Sequence, residues 1–132
     1  MIDVYCDGAS RGNPGPSSIG VSIQKDNLEI SSISKTIGRE TNNFAEWTSL
    51  ISALEECIRL NELDVKVYMD SELVVKQFLG IYKTRHENLI PLKNRVLELK
   101  KKFKSLNLVH IKRELNKRAD TLANQALDKM SN

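Results

Sequence analysis

The chain lacks an apolar run long enough to cross a bilayer. It also lacks a charged-then-apolar leader at its start, so a cytoplasmic location with no membrane partner is the expectation. Cysteine is scarce: only Cys6 and Cys57 occur, with no histidine or further cysteine near either at metal-ligand spacing. Both therefore read as small buried apolar residues. No internal repeat or low-complexity linker divides the 132 residues, which suit one compact domain over 1–132. There is also little net charge. The formal value is +3, and its distribution says more than its size. Lys100, Lys101, Lys102 and Lys104 cluster late, followed by Lys112, Arg113, Lys117 and Arg118. Such a run is either a solvated helix face or a surface for phosphates. The remaining composition, 40% hydrophobic and 28% charged, is that of an ordinary soluble globular protein.

What the chain does have is a distinctive opening. The β-prone run Met1-Ile2-Asp3-Val4-Tyr5-Cys6 leads into Asp7-Gly8-Ala9-Ser10-Arg11-Gly12-Asn13-Pro14-Gly15-Pro16. A strand over 2–7 then ends in a carboxylate and enters a loop. Gly8, Gly12 and Gly15 permit positive φ or close backbone approach, and Pro14 and Pro16 stiffen the exit. A plain turn between strands is the commoner reading of a lone Gly/Pro loop. The difference is made by further acids at element ends.

Alternation of Ile19, Val21 and Ile23, the turn signal Asp26-Asn27, and Ile30, Ile33 and Ile37 predict a hairpin of strands over 19–23 and 30–37. A polar loop over 38–43 leads to a helix over 43–60. Its buried face carries Trp47, the only tryptophan, with Leu50, Ile51, Leu54 and Ile58. A strand over 65–69 ends at Asp70. A short helix over 71–79 is closed by Gly80. A basic connector holding Lys83, Arg85 and His86 leads to a helix over 87–103, in which Pro91 fits only near the first turn. A fifth strand covers 106–111, and Asn116 can cap a last helix over 117–130. The pattern predicts an α/β fold, a five-stranded mixed sheet flanked by helices.

Asp7 and Asp70 end two strands; Glu46 and Asp120 stand in the first turns of two helices. If the first and fourth strands are parallel neighbours, Asp7 and Asp70 lie side by side at the edge where open α/β sheets bind ligands. Carboxylates gathered there repel each other unless cations are present. Oxygen-only ligands suit Mg²⁺ or Mn²⁺, and two such ions can drive phosphodiester cleavage. Singly, each acid has another explanation: Asp120 favouring a helix dipole, Asp70 an N-cap, Glu46 a solvated first-turn acid.

Four segments together resemble type 1 ribonuclease H: Asp7 to Gly15, Thr41-Asn42-Asn43-Phe44-Ala45-Glu46, Asp70-Ser71, and Asn116 to Ala123. The resemblance covers nearly the whole chain. It implies a ribonuclease H-like fold and hydrolysis of the RNA strand of RNA/DNA hybrids with two divalent ions, Mg²⁺ or Mn²⁺, leaving 5′-phosphate and 3′-hydroxyl ends. By position, Asp7 would bridge both ions, Glu46 and Asp70 would complete one shell, and Asp120 would hold the other ion. Glu46 would also accept a ribose 2′-OH. Gly8, Ser10 and Gly12 would lie against the RNA strand, Asn13, Asn42 and Asn43 near the minor groove, and Thr41 with Asn43 near a DNA phosphate.

Three departures from the family pattern stand out. Where many members carry a loop histidine before the last helix, this chain reads Lys112-Arg113-Glu114-Leu115. Glu114 is the matching residue, either a mobile catalytic helper or a solvated loop acid. This resembles the branch found in archaea and some bacteria, some of whose members also cut double-stranded RNA. His110 falls inside a predicted strand and reads as structural or surface. The tryptophan-bearing basic protrusion of some members is absent, leaving Lys83, Arg85 and His86 as a smaller phosphate contact. Nothing precedes the first strand, so no separate hybrid-binding domain is expected. The chain is expected to act as a monomer. A catalytically silent nucleic-acid-binding module is the alternative reading.

Overall fold

The computed structural model describes residues 1–130. Strands β1 (Ile2–Ser10), β2 (Gly15–Lys25) and β3 (Leu28–Glu40) form an antiparallel meander. Asp26 and Asn27 take positive φ, 52° and 64°, which gives the two-residue hairpin turn expected of them. Helix α1 (Asn42–Arg59) leads to β4 (Asp64–Met69), which runs parallel to β1. Helices α2 (Glu72–Phe78) and α3 (Ile90–Lys100) precede β5 (Ser105–His110). A 3₁₀ turn at Arg113–Leu115 and helix α4 (Lys117–Met130) complete the fold. The sheet order is β3-β2-β1-β4-β5, the mixed five-stranded sheet that the pattern predicts.

Several boundaries differ from the sequence expectation. The first three strands are longer, because the meander keeps pairing through polar residues that carry no hydrophobic signal. Asp7 consequently lies inside β1 rather than at its end. Helix α1 starts early enough to place Glu46 in its second turn. Helix α3 begins at Ile90 instead of residue 87, with Pro91 in its first turn. Ser71, not Asp70, caps α2, accepting from the Val74 N–H at 3.3 Å. Asn116 precedes α4, but its side chain does not cap that helix. Nδ2 donates to the Cys6 carbonyl at 3.0 Å, and Oδ1 is buried without a hydrogen-bond partner. Of the glycines in the opening loop, only Gly12 takes positive φ, at 120°.

The core follows from strand alternation. Ile2, Val4 and Cys6 of β1, Val21 and Ile23 of β2, and Val65, Val67 and Met69 of β4 turn one face toward α1. That helix answers with Trp47, Leu50, Ala53, Leu54 and Cys57, all buried. Trp47 is wholly enclosed, and its indole N–H donates to Gln77 Oε1 at 3.2 Å. The opposite face receives α4. Ser18 Oγ donates to the Ala123 carbonyl at 2.5 Å, and Ser34 Oγ to that of Leu122 at 2.6 Å.

Gly20 makes that seat possible. A Cβ there would lie 2.1 Å from the Ala119 carbonyl oxygen and 2.6 Å from the Ala123 nitrogen. Both are backbone atoms that cannot swing aside. Gly20→Ala is therefore expected to lift α4 from the sheet and to cost about 1–3 kcal/mol. Urea unfolding monitored by circular dichroism measures it; an unchanged midpoint would show that α4 has room to shift.

Candidate active site

Register pairing between β1 and β4 ends at Tyr5↔Tyr68. Beyond that pair Asp7 and Asp70 flank the gap between the strands. Glu46 enters the gap from α1, which reaches the sheet because Gly8 has no side chain. A Cβ there would lie 2.2 Å from the Ala45 carbonyl carbon. The Gly8 N–H donates to Glu46 Oε1. Asp7, Glu46 and Asp70 each contribute a carboxylate oxygen, and the three oxygens lie within 4.8 Å of one another. Asp120 approaches from the first turn of α4. Asn124 Nδ2 donates to it at 3.1 Å, and Arg113 Nη2 lies 3.9 Å away. The four acids line one groove of about 500 Å³, together with Gly8, Ala9, Ser10, Arg11, Asn42, Ser71, Arg113 and Asn124.

Asp7 and Glu46 are nearly excluded from solvent, at 6% and 3% exposure. Burial pushes the Asp7 carboxyl up to about 10, with the charges of Glu46 and Asp70 adding to the effect. Burial also raises Glu46, to about 7, opposed by hydrogen bonds from Asp7 and the Gly8 N–H. Asp7 and Glu46 thus hold a proton between them when no cation is present. Asp70 is raised by burial too, against the pull of the Asn116 amide and the Arg113 guanidinium.

The other sequence candidates divide into groups. Gly8, Ser10 and Asn42 line the carboxylate groove. Asn13, Thr41 and Asn43 line a second depression of about 140 Å³ with His86, Asn88 and Leu89. Asn13 joins the two, its Oδ1 accepting from the Asn42 N–H at 3.1 Å. Thr41 Oγ1 caps α1, accepting from the Phe44 N–H at 3.2 Å. Gly12 sits exposed at the loop tip, its carbonyl accepting from Ser10 Oγ. Glu114 is exposed on the 3₁₀ turn and does not line the groove; its neighbour Arg113 does. Lys100 stays at the surface, its Nζ 5.3 Å from the Phe78 ring centre.

Arg11 is not among the sequence candidates, and Arg113 belongs to the late basic run that reads as a solvated face or a surface for phosphates. Arg11 reaches the groove from the β1–β2 loop and pairs with Asp128 at 2.5 Å. An isolated arginine in a Gly/Pro loop carries no signal of its own; only the proximity of α4 gives it a place.

The reverse transcriptase-like family matches residues 5–126. Ribonuclease HI of Halobacterium salinarum is 42% identical over 128 residues, covering 96% of this chain. The chain spans 64% of that protein's length. Ribonuclease H of Coxiella burnetii is 30% identical over 144 residues, covering 98% of this chain and 92% of that protein. The crystal structure of LC11-RNase H1 in complex with RNA/DNA hybrid superposes with a TM-score of 0.95 at 40% identity, covering 100% of both chains. The chain belongs to the ribonuclease H family. In this ribonuclease H, oxygen donors alone form the acidic cluster, two of them buried, and such a set can hold a hard divalent cation.

The same electrostatics make stability depend on pH and on metal. Unfolded, Asp7 and Glu46 lose their protons near 4; folded, burial and their mutual charge hold a proton on the pair to well above neutral. The folded state therefore binds more protons between these limits, and its advantage fades as pH rises through them. In chelator, the wild-type Tm is expected to fall between pH 5 and pH 9, and Asp7→Asn should flatten that fall. Excess Mg²⁺ at pH 8 should raise the wild-type Tm and leave Asp7→Asn nearly unmoved. Thermal scans in chelator at pH 5 and pH 9, and at pH 8 with and without Mg²⁺, check both; equal pH slopes for wild type and Asp7→Asn would show that the buried acids exact no such cost.

Proposed function

We propose that this ribonuclease H hydrolyses the RNA strand of RNA/DNA hybrids with two divalent ions, Mg²⁺ or Mn²⁺. The observation that carries the reading is the meeting of three carboxylate oxygens within 4.8 Å, with Asp120 on the same groove. The full-length likeness to LC11-RNase H1, a structure bound to RNA/DNA hybrid, supports the substrate. Asp7 sits between the two sides and would be shared, Glu46 and Asp70 would complete one ion's ligands, and Asp120 would serve the other. Bound there, the ions supply an activated water and stabilisation of the leaving oxygen, giving 5′-phosphate and 3′-hydroxyl ends.

The chain's own groups do the positioning. The Gly8 N–H holds Glu46 in place, and Asn124 and Arg113 hold Asp120. Arg113 and Arg11 place positive charge on the groove wall, where the phosphates of the cut strand would pass. The second depression offers Asn13, Thr41, Asn43, His86 and Asn88 to the backbone of the partner strand. Contacts to backbone and 2′-OH read duplex shape without reading base edges.

A labelled RNA strand paired in turn with DNA and with RNA, in Mg²⁺, Mn²⁺ or chelator, tests the reading. Metal-dependent cleavage of the hybrid is expected, abolished by Asp7→Asn and slowed modestly by Glu114→Gln. An unchanged pH–rate profile for Glu114→Gln would reduce Glu114 to a solvated loop acid. The RNA duplex lane reports how strictly a DNA strand is required. Hybrid binding without cleavage in either ion would leave a silent binding module in place of an enzyme.

A further inference from the structure

Asp120, Asn124 and Asp128 recur every four residues along α4, so they stand one above another on a single stripe of the helix. Arg11 meets that stripe from the β1–β2 loop. Its Nη2 donates to Asp128 Oδ1 at 2.5 Å and to Asn124 Oδ1 at 3.5 Å. Asn124 Nδ2 in turn donates to Asp120 Oδ1 at 3.1 Å and to the Asp120 carbonyl at 3.0 Å. The amide thus has a cation at its oxygen and a carboxylate at its nitrogen. Turned over, it would set oxygen against carboxylate and NH₂ against guanidinium, and both bonds would be lost. Arg11 and Asp120 therefore hold Asn124 in one orientation between them. Arg11, Asn124 and Asp120 all line the carboxylate groove.

The loop is built to hold Arg11 in place. Its N–H donates to the Pro16 carbonyl at 2.8 Å. Gly15 lets the chain close on it, since a Cβ there would lie 2.4 Å from the Arg11 carbonyl oxygen. Asp128 neutralises the guanidinium, so its charge opposes a cation in the groove less strongly. At Asp120 both partners meet the same oxygen: Asn124 and, at 3.9 Å, Arg113 Nη2 are nearest to Oδ1. Oδ2 is the oxygen left to face a cation. Asp120 also stands outside the trio of oxygens gathered within 4.8 Å, so its aim rests on these contacts.

We propose that Arg11 is a positioning residue that acts through Asn124 to aim Asp120 at the second divalent cation, so that the β1–β2 loop sets metal affinity at that acid. The inference rests on the proposed two-ion reading. Residues that orient a metal ligand without touching the metal contribute to affinity by holding the ligand ready.

The test compares wild type, Asn124→Ala, Arg11→Met and the double variant in two readouts. One is Mn²⁺ binding by calorimetry, with a DNA duplex present to supply phosphates without an RNA strand to cut. The other is the Mg²⁺ concentration for half-maximal cleavage at saturating hybrid. Alanine forms helix more readily than asparagine, so α4 is kept. Asn124→Ala should weaken Mn²⁺ binding and raise the Mg²⁺ requirement about tenfold, the small end for a residue that supports a metal ligand. Arg11→Met should shift both in the same direction by less. Because Arg11 acts through Asn124, the double variant should match Asn124→Ala alone. Wild-type metal affinity in Asn124→Ala or in Arg11→Met overturns the relay. So does an Arg11→Met loss that adds in full to that of Asn124→Ala, which would leave Arg11 a phosphate contact only. Should Asn124→Ala not fold, the Mn²⁺ affinity of Arg11→Met decides. Failure of the wild type to cut any hybrid overturns the proposed function instead. Weaker Mn²⁺ binding by the variants than by the wild type would then still uphold the relay, and equal or absent binding would overturn it.

Discussion

At Asp7 the sheet is gripped from both faces through residues without side chains. Gly8 lets the backbone of α1 come down on β1, and Gly20, which pairs with Asp7 across the sheet, lets α4 come down on β2. The two approaches carry Glu46 and Asp120 to a carboxylate already fixed in a strand. Any side chain at either glycine would meet backbone atoms, which have no rotamer to escape into. The groove therefore depends on two close contacts that lie outside its reactive groups.

That geometry sets up an electrostatic conflict. The carboxylates are held closer than their charges permit, and burial removes the water that would screen them. Without a cation the conflict is relieved by protonation, which is why Asp7 and Glu46 both shift upward. A divalent ion relieves it by charge. The packed layer beneath keeps the acids from separating: Trp47, bonded to Gln77, shares one core with Val65, Val67 and Met69 of β4.

The fold matches that of LC11-RNase H1, and Arg11, Arg113 and the Thr41–Asn43 depression line the surface beside the acids. Asp7 and Tyr5, which stacks on Tyr68, share one face of the sheet because alternation along a strand places every second residue there.

Much was legible from local pattern. The Asp26-Asn27 hairpin, the apolar stripe of α1 with Trp47, and an acid on each of four elements all follow from residue spacing and turn chemistry. Strand length was not legible, because β1 to β3 continue through Ser, Gly, Lys and Thr, which pair by backbone and carry no apolar signal. Nor was the fate of Asn116, whose side chain bonds across to Cys6 when its type and place suggest a helix cap. Which basic residues face the groove depended on the crossing of α4 and the 3₁₀ turn. Sequence alone thus determined which residue types stand on which elements, since periodicity and capping act within a few residues. Tertiary structure decided which of them meet, since distances such as the 4.8 Å among Asp7, Glu46 and Asp70 arise only when elements far apart in the chain pack together.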